Sequence, residues 1–195
     1  MSKGLETREA ILEAAVAEAS KAGLEGLSIG GLAKKVAMSK SGLFAHFDSK
    51  EELQLQVLRK AAERFVETVL VPAVRRPRGL PRVRALFDNW LAWSRSNFLP
   101  GGCLFLATAS ELDDRPGPLR DFLVEAQRHW LDALATAARI ARDEGHLRAD
   151  LDVDQFAYEF FSIILAHHHF DRLLRDPDTD DRCRRAFEDL LRRSR

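Results

Sequence analysis

Four lysines and three serines crowd the stretch "AKKVAMSKSGLFAHFDSK", Ala33 to Lys50. Against Lys34, Lys35, Lys40 and Lys50 stands one acid, Asp48, so the segment from Lys34 to Lys50 carries a local charge of +3 although the whole chain is formally neutral. Clustered cations are what neutralisation of a phosphate backbone requires, and the small residues Ser39, Ser41 and Gly42 leave room for close approach to a base edge. A second candidate is "AHHHFDRLL", where His167 and Asp171 at i,i+4 could share a metal ion. No HExxH or ExxH partner accompanies them, and three consecutive histidines point in three directions around a helix, so packing or an interface is expected and no metal or other cofactor. Cys103 and Cys183 form neither a CxxC pair nor a zinc spacing and read as thiols behaving like small hydrophobes. No GxSxG and no cysteine with an evident base is present, so the chain is not expected to be an enzyme.

The elements that must position these residues are all helical. Apolar residues recur at intervals of three and four, and nowhere do β-branched residues alternate over a strand length. The spacing predicts a first helix over about Thr7–Ala22, a short second one capped by Ser28, and a third from Ser39 to near Phe47. Ser49 and Glu52 form an S-x-x-E capping box that opens a fourth helix, predicted to run to Val71 before Pro72. After the proline- and arginine-rich "VPAVRRPRGLPRV" come a fifth helix reaching Phe98, a sixth from Cys103 to Leu112 and a seventh from Pro118 to Glu144. An eighth starts at the Asp152 cap and reaches Leu174, and a ninth spans Thr179 to Leu191. All seven lysines lie in the first sixty residues, which hints at a boundary. No secretory signal or membrane-length apolar run occurs, so a soluble cytoplasmic protein is expected, without a membrane partner.

Three short helices, the third with small polar residues leading, have the proportions of a helix-turn-helix support and reader. A reader's first residues meet base edges in the major groove while its later apolar residues, here Leu43 and Phe47, hold it on the support. Phe44 and Phe47 are read as core before base-stacking groups. The capping box restarts the chain because the reader must be fixed to a lever.

At this point "TREAILEAAVAEASKAGLEGLSIGGLAKKVAMSKSGLFAHFDSKEELQLQVL", Thr7 to Leu58, resembles the DNA-binding domain of the tetracycline-repressor (TetR) family of bacterial transcriptional regulators without a gap. The resemblance implies an all-α chain of about nine helices, with a three-helix DNA-binding domain at 1–50 and an effector-binding and dimerisation domain at 51–195, joined by a linking helix 49–71. It implies a homodimer on a pseudo-palindromic, double-stranded operator, acting as a repressor released by a small effector or, less often, as an activator. Matched residue by residue, the DNA-binding set is Ser28, Ser39, Lys40, Ser41, Gly42, Phe44, His46 and Lys50, with Lys50 on the family's phosphate-contacting lysine. Phe44 stands where the family often has tyrosine, and Ala37 occupies the usual glycine of the turn, at a cost of about 1–2 kcal/mol if its backbone is left-handed. Gly30 and Gly31 each cost about 1 kcal/mol in a helix.

For the effector, expected to be mostly apolar, the aromatics Phe87, Trp90, Phe105, Phe122, Phe156 and Phe160 are candidates, since pockets are lined mainly by such groups. Ser94, Thr108, Glu125 and His129 are the polar candidates, His129 foremost. The dimer is expected to be a four-helix bundle of the eighth and ninth helices, with Phe161, Leu165, His168, Phe187, Leu190 and Leu191 at the interface.

Overall fold

The computed structural model describes residues 3–195, and every regular element among them is helical. In chain order these are α1 (Lys3–Ala22), α2 (Ile29–Lys35), α3 (Lys40–Phe44) and α4 (Lys50–Phe65), then a π turn (Val66–Leu70) and α5 (Val71–Val74). There follow α6 (Leu80–Ser94), α7 (Leu104–Ala107), α8 (Ala109–Leu112), α9 (Pro118–Asp143), α10 (Val153–His169), a second π turn (Phe170–Leu174) and α11 (Thr179–Arg193).

The differences from the sequence expectation are local and have local causes. The fourth helix keeps its α geometry only to Phe65. Pro72 has no N–H to give and crowds the carbonyl four residues back, and the chain passes through the π turn before resuming with the proline in the first turn of α5. The sixth helix divides in two at Thr108, whose hydroxyl donates to the Leu104 carbonyl at 2.9 Å and competes with the regular ladder. The third ends at Phe44 and the fifth at Ser94, so Phe98 lies in a loop. Asp152 caps α10 as expected, accepting from the N–H groups of Asp154 and Gln155 at 3.0 Å.

Contacts divide the chain into two compact units whose borders do not follow a cut at residue 50. Unit 1 takes the chain up to Phe65 together with Ser94–Glu125, and unit 2 takes Val66–Trp93 and Ala126–Arg195. In unit 1 the apolar stripe of α1, Ile11, Leu12, Ala15, Val16 and Ala19, is buried with Leu32, Leu43, Phe47, Leu53 and Val57 from α2, the reader region and α4. The loop after α6 docks on this bundle: Gly101 N–H donates to Ser20 Oγ at 2.9 Å, and a Cβ on Gly101 would stand 1.8 Å from the Ser20 carbonyl oxygen.

Unit 2 is built on aromatics. Phe87 of α6 stacks on Phe187 of α11 with ring centroids 3.9 Å apart, and Phe160 of α10 meets both edge-on at 6.0 and 5.3 Å. Trp130 and Phe156 close on Phe160 at 6.3 and 6.4 Å. Such offset and edge-on pairs add about 0.5–1.5 kcal/mol each beyond area burial.

Candidate nucleic-acid interface

The reader is a five-residue helix, too short to persist alone, held by its ends. Ser39 Oγ accepts from Gly42 N–H at 3.0 Å and lies 3.1 Å from Ser41 Oγ; Ser28 Oγ caps α2 in the same way, accepting from Gly31 N–H at 3.0 Å. Leu43 is fully buried and Phe47 nearly so, which fixes the inner side. Arg8 of α1 lies over the Phe47 ring, 5.2 Å from its centroid. The outer side presents Ser39, Lys40 and Ser41, all exposed, with Gly42 and His46 half-buried. Phe44 is 45% exposed, which corrects the expectation that it belongs to the core: on so short a helix, Leu43 and Phe47 take the inward direction and Phe44 is left outside.

Two caps lie close against a glycine. A Cβ on Gly31 would stand 2.8 Å from Ser28 Oγ, and one on Gly42 3.1 Å from Ser39 Oγ. Ala37 holds φ at +53°, the left-handed turn expected from its position.

The basic residues differ in what holds them. Lys34 is exposed, whereas Lys35 is paired with Glu18 of α1, a hydrogen bond that lowers the Glu18 pKa. Lys40 lays its side chain over Gly30, with Cε 3.0 Å from where a Cβ would be. Lys50, the first residue of α4, donates to the Glu25 carbonyl at 3.0 Å and lies 3.9 Å from that residue's carboxylate. Ser49 Oγ accepts from Glu52 N–H at 3.0 Å, while the Glu52 carboxylate accepts from Gln56 at 2.7 Å.

Sequence profiles decide what this head belongs to. The profile described as bacterial regulatory proteins, tetR family, matches residues 11–57, and that of the tetracyclin repressor-like C-terminal domain matches 79–187, more than half of the chain. The chain belongs to the TetR family. Its members are DNA-binding transcriptional regulators rather than enzymes, and the helix-turn-helix head with its ligand-binding domain is this chain's architecture too. A TetR transcriptional regulator from Chloroflexus aurantiacus superposes with a TM-score of 0.86 at 27% identity, covering 98% of this chain and 95% of its own. A TetR-family regulator from Cytophaga hutchinsonii gives 0.82 at 22% identity over 98% and 96%. AibR, solved with isovaleryl coenzyme A and operator DNA, gives 0.71 at 24% over 83% and 85%. No curated protein sequence matches significantly.

The ten effector candidates of this TetR-family regulator fall in both units. Ser94, Phe105, Thr108, Phe122 and Glu125 belong to unit 1, where Thr108 is fully buried, Phe105 meets Phe65 edge-on at 6.1 Å and Phe122 is half-buried. Phe87, Trp90, Phe156 and Phe160 belong to unit 2, all buried within its aromatic core. Glu125 and His129 are exposed on α9. A cavity of about 330 Å³ lies elsewhere in unit 2, between α10, the second π turn and α11, with Ile163, Ala166, Phe170, Cys183 and Ala186 in its apolar lining. Burial raises the Cys183 thiol pKa to about 12, with Asp180 adding to the shift.

The interface candidates divide as well. Leu165 is exposed and Phe161 and His168 half-buried along one face of α10, with Tyr158, 66% exposed, continuing the same spacing. Phe187, Leu190 and Leu191 are 2% exposed or less within the protomer itself. α11 has a single apolar stripe amid charges, and within the protomer these three side chains lie in its own core. The histidine run resolves in the same unit, since His167 is buried with Nε2 2.9 Å from Asp180 of α11. Among the described residues no helix is long and apolar enough to cross a membrane.

Proposed function

We propose that this TetR-family regulator is a repressor that binds a pseudo-palindromic operator as a homodimer and leaves it when a mostly apolar small molecule binds. The observation that carries the reading is the outer face of α3, where Lys40 and Ser41 stand exposed at the start of a doubly anchored helix. AibR, a fold relative, was solved in complex with isovaleryl coenzyme A and operator DNA.

Dimerisation is supported by apolar area on one side of the chain's end. Tyr158, Leu165, Phe170, Leu173 and Leu174 are all at least 40% exposed on α10 and the turn after it, a patch that a second copy would cover with a self-complementary contact. An apolar effector is supported by the linings available. The aromatic core of unit 2 would have to part to admit a ligand, whereas the α10–α11 cavity stands preformed. To release DNA the effector must bind one conformation better than the other, by about 1–3 kcal/mol for a 5- to 150-fold effect.

The test starts from operator fragments selected from random duplexes. Lys40→Ala and Lys50→Ala are expected to weaken binding to every sequence and to reduce the salt slope by about one each, while Ser41→Ala changes which bases are preferred. Unchanged affinity in the Lys40→Ala variant would remove α3 as the reader. Lipophilic candidates are then titrated while tryptophan fluorescence is followed, with and without operator. Equal affinity in both titrations would exclude release by the effector, because the coupling is reciprocal.

A further inference from the structure

The turn between α1 and α2 is held from two sides. From below, α4 reaches it with two side chains one turn apart: Gln54, buried, donates to the Leu24 carbonyl at 2.7 Å, and Lys50 donates to the Glu25 carbonyl at 3.0 Å. From the other side, Glu111 of α8 accepts from the Glu25 N–H at 3.0 Å. Gly23, at φ +75°, lets Glu111 lie so close that a Cβ there would stand 1.7 Å from its carboxylate. Backbone groups of the turn are thus satisfied without the side chain of Glu25. That side chain is 55% exposed and does something else: it accepts from Arg115 at 3.0 Å and lies 3.9 Å from the Lys50 ammonium.

We infer that Glu25 is a built-in counter-anion that competes with DNA phosphate for Lys50, and that Arg115 sets how strongly it competes. The inference rests on the reading of Lys50 as a phosphate contact. A lysine ammonium has three donors; the Glu25 carbonyl takes one and two remain for a phosphate. The nearby carboxylate already neutralises part of the ammonium charge, so fewer counterions are released when phosphate arrives and binding depends less steeply on salt. Arg115 shares the carboxylate and draws its charge away from Lys50. If Arg115 leaves, Glu25 is free to close on Lys50 and hold it from the DNA. Glu25 is therefore a positioning residue, and through Arg115 it ties the grip on phosphate to the segment after α8, which belongs to the same compact unit as the reader.

The experiment is a set of double-mutant cycles on the full chain, reading affinity for a random-sequence duplex against salt, with thermal melting to verify folding. Glu25→Gln keeps the shape and removes the charge. It is expected to bind about two- to fivefold tighter at low salt, the range of an exposed ion pair, with a salt slope steeper by up to about one. In a Lys50→Ala background the gain should vanish. Arg115→Gln should weaken binding about twofold with Glu25 present and much less in the Glu25→Gln background, which gives a second route if one variant folds poorly. Weaker binding in Lys50→Ala together with unchanged affinity and slope in Glu25→Gln would overturn the inference and leave the phosphate role of Lys50 standing. An equal gain from Glu25→Gln with and without Lys50 would overturn it as well, because the charge would then act on the DNA directly. If Lys50→Ala changes nothing, the phosphate role falls and the inference with it.

Discussion

Ala37 and Gly31 stand six residues apart in the head, and the structure gives them opposite signs. Ala37 carries φ +53°, a conformation that costs an L residue about 1–2 kcal/mol. Ala37→Gly is expected to stabilise the chain by about 1 kcal/mol, part of the gain being returned as unfolded-state entropy; urea denaturation measures it. Helix propensity alone would assign a similar gain of about 1 kcal/mol to Gly31→Ala. The cap oxygen of Ser28 stands in the way at 2.8 Å, so that variant is expected to gain nothing or to lose stability. A clear gain in the same denaturation experiment would show that the cap yields. Cys183 offers a chemical check, since a buried thiol with its pKa raised to about 12 should react with a disulfide reagent at pH 8 far more slowly than the unfolded chain does.

Short elements in this protein depend on their ends. Having five residues, α3 has little ladder of its own, so the Ser39 cap matters beyond its usual share. Ser39→Ala is expected to cost about 1 kcal/mol and to lower DNA affinity for all sequences, whereas Asp152→Ala on α10 costs a similar amount without touching the reader. Stability by denaturation and binding by fluorescence anisotropy separate the two. The loop after α6 depends on close approach instead. At Gly101 any side chain meets the Ser20 backbone, so Gly101→Ala should cost about 1–3 kcal/mol, visible as a lower melting temperature. The same contact explains why 94–125 joins the head in one compact unit although the profile of the C-terminal domain begins at residue 79.

At the scale of the molecule, the exposed face of α10 and its following turn carries two expectations. Leu165→Glu should place a charge within the proposed dimer contact and shift sedimentation toward the monomer, with the helical content retained. His168 on the same face has its pKa lowered to about 4, first by burial and then by Arg172 and His167, with Asp171 opposing. Between the usual value near 6.5 and 4 the unfolded chain binds a proton that the folded chain refuses, so this contribution to stability is complete above about pH 6.5 and is lost as pH falls toward 4. Melting temperature should therefore fall between pH 7 and 5, and less in a His168→Gln variant.

Local chemistry made the head legible from sequence. Caps at Ser28, Ser39, Ser49 and Asp152 follow from residue type and nearest neighbours, which act over three or four positions, whereas the left-handed Ala37 was legible only through the family resemblance. The family resemblance covered the same stretch, Thr7 to Leu58. Which apolar stripes meet is a different matter. Sequence periodicity marks Phe187, Leu190 and Leu191 as one face of α11 but is silent on what that face packs against, and only the fold brings Phe87 onto Phe187 across a hundred residues. The Glu25 site had no signal in sequence at all, because Lys50, Glu111 and Arg115 approach it from 25, 86 and 90 residues away, and only packing brings such charges within reach of one another.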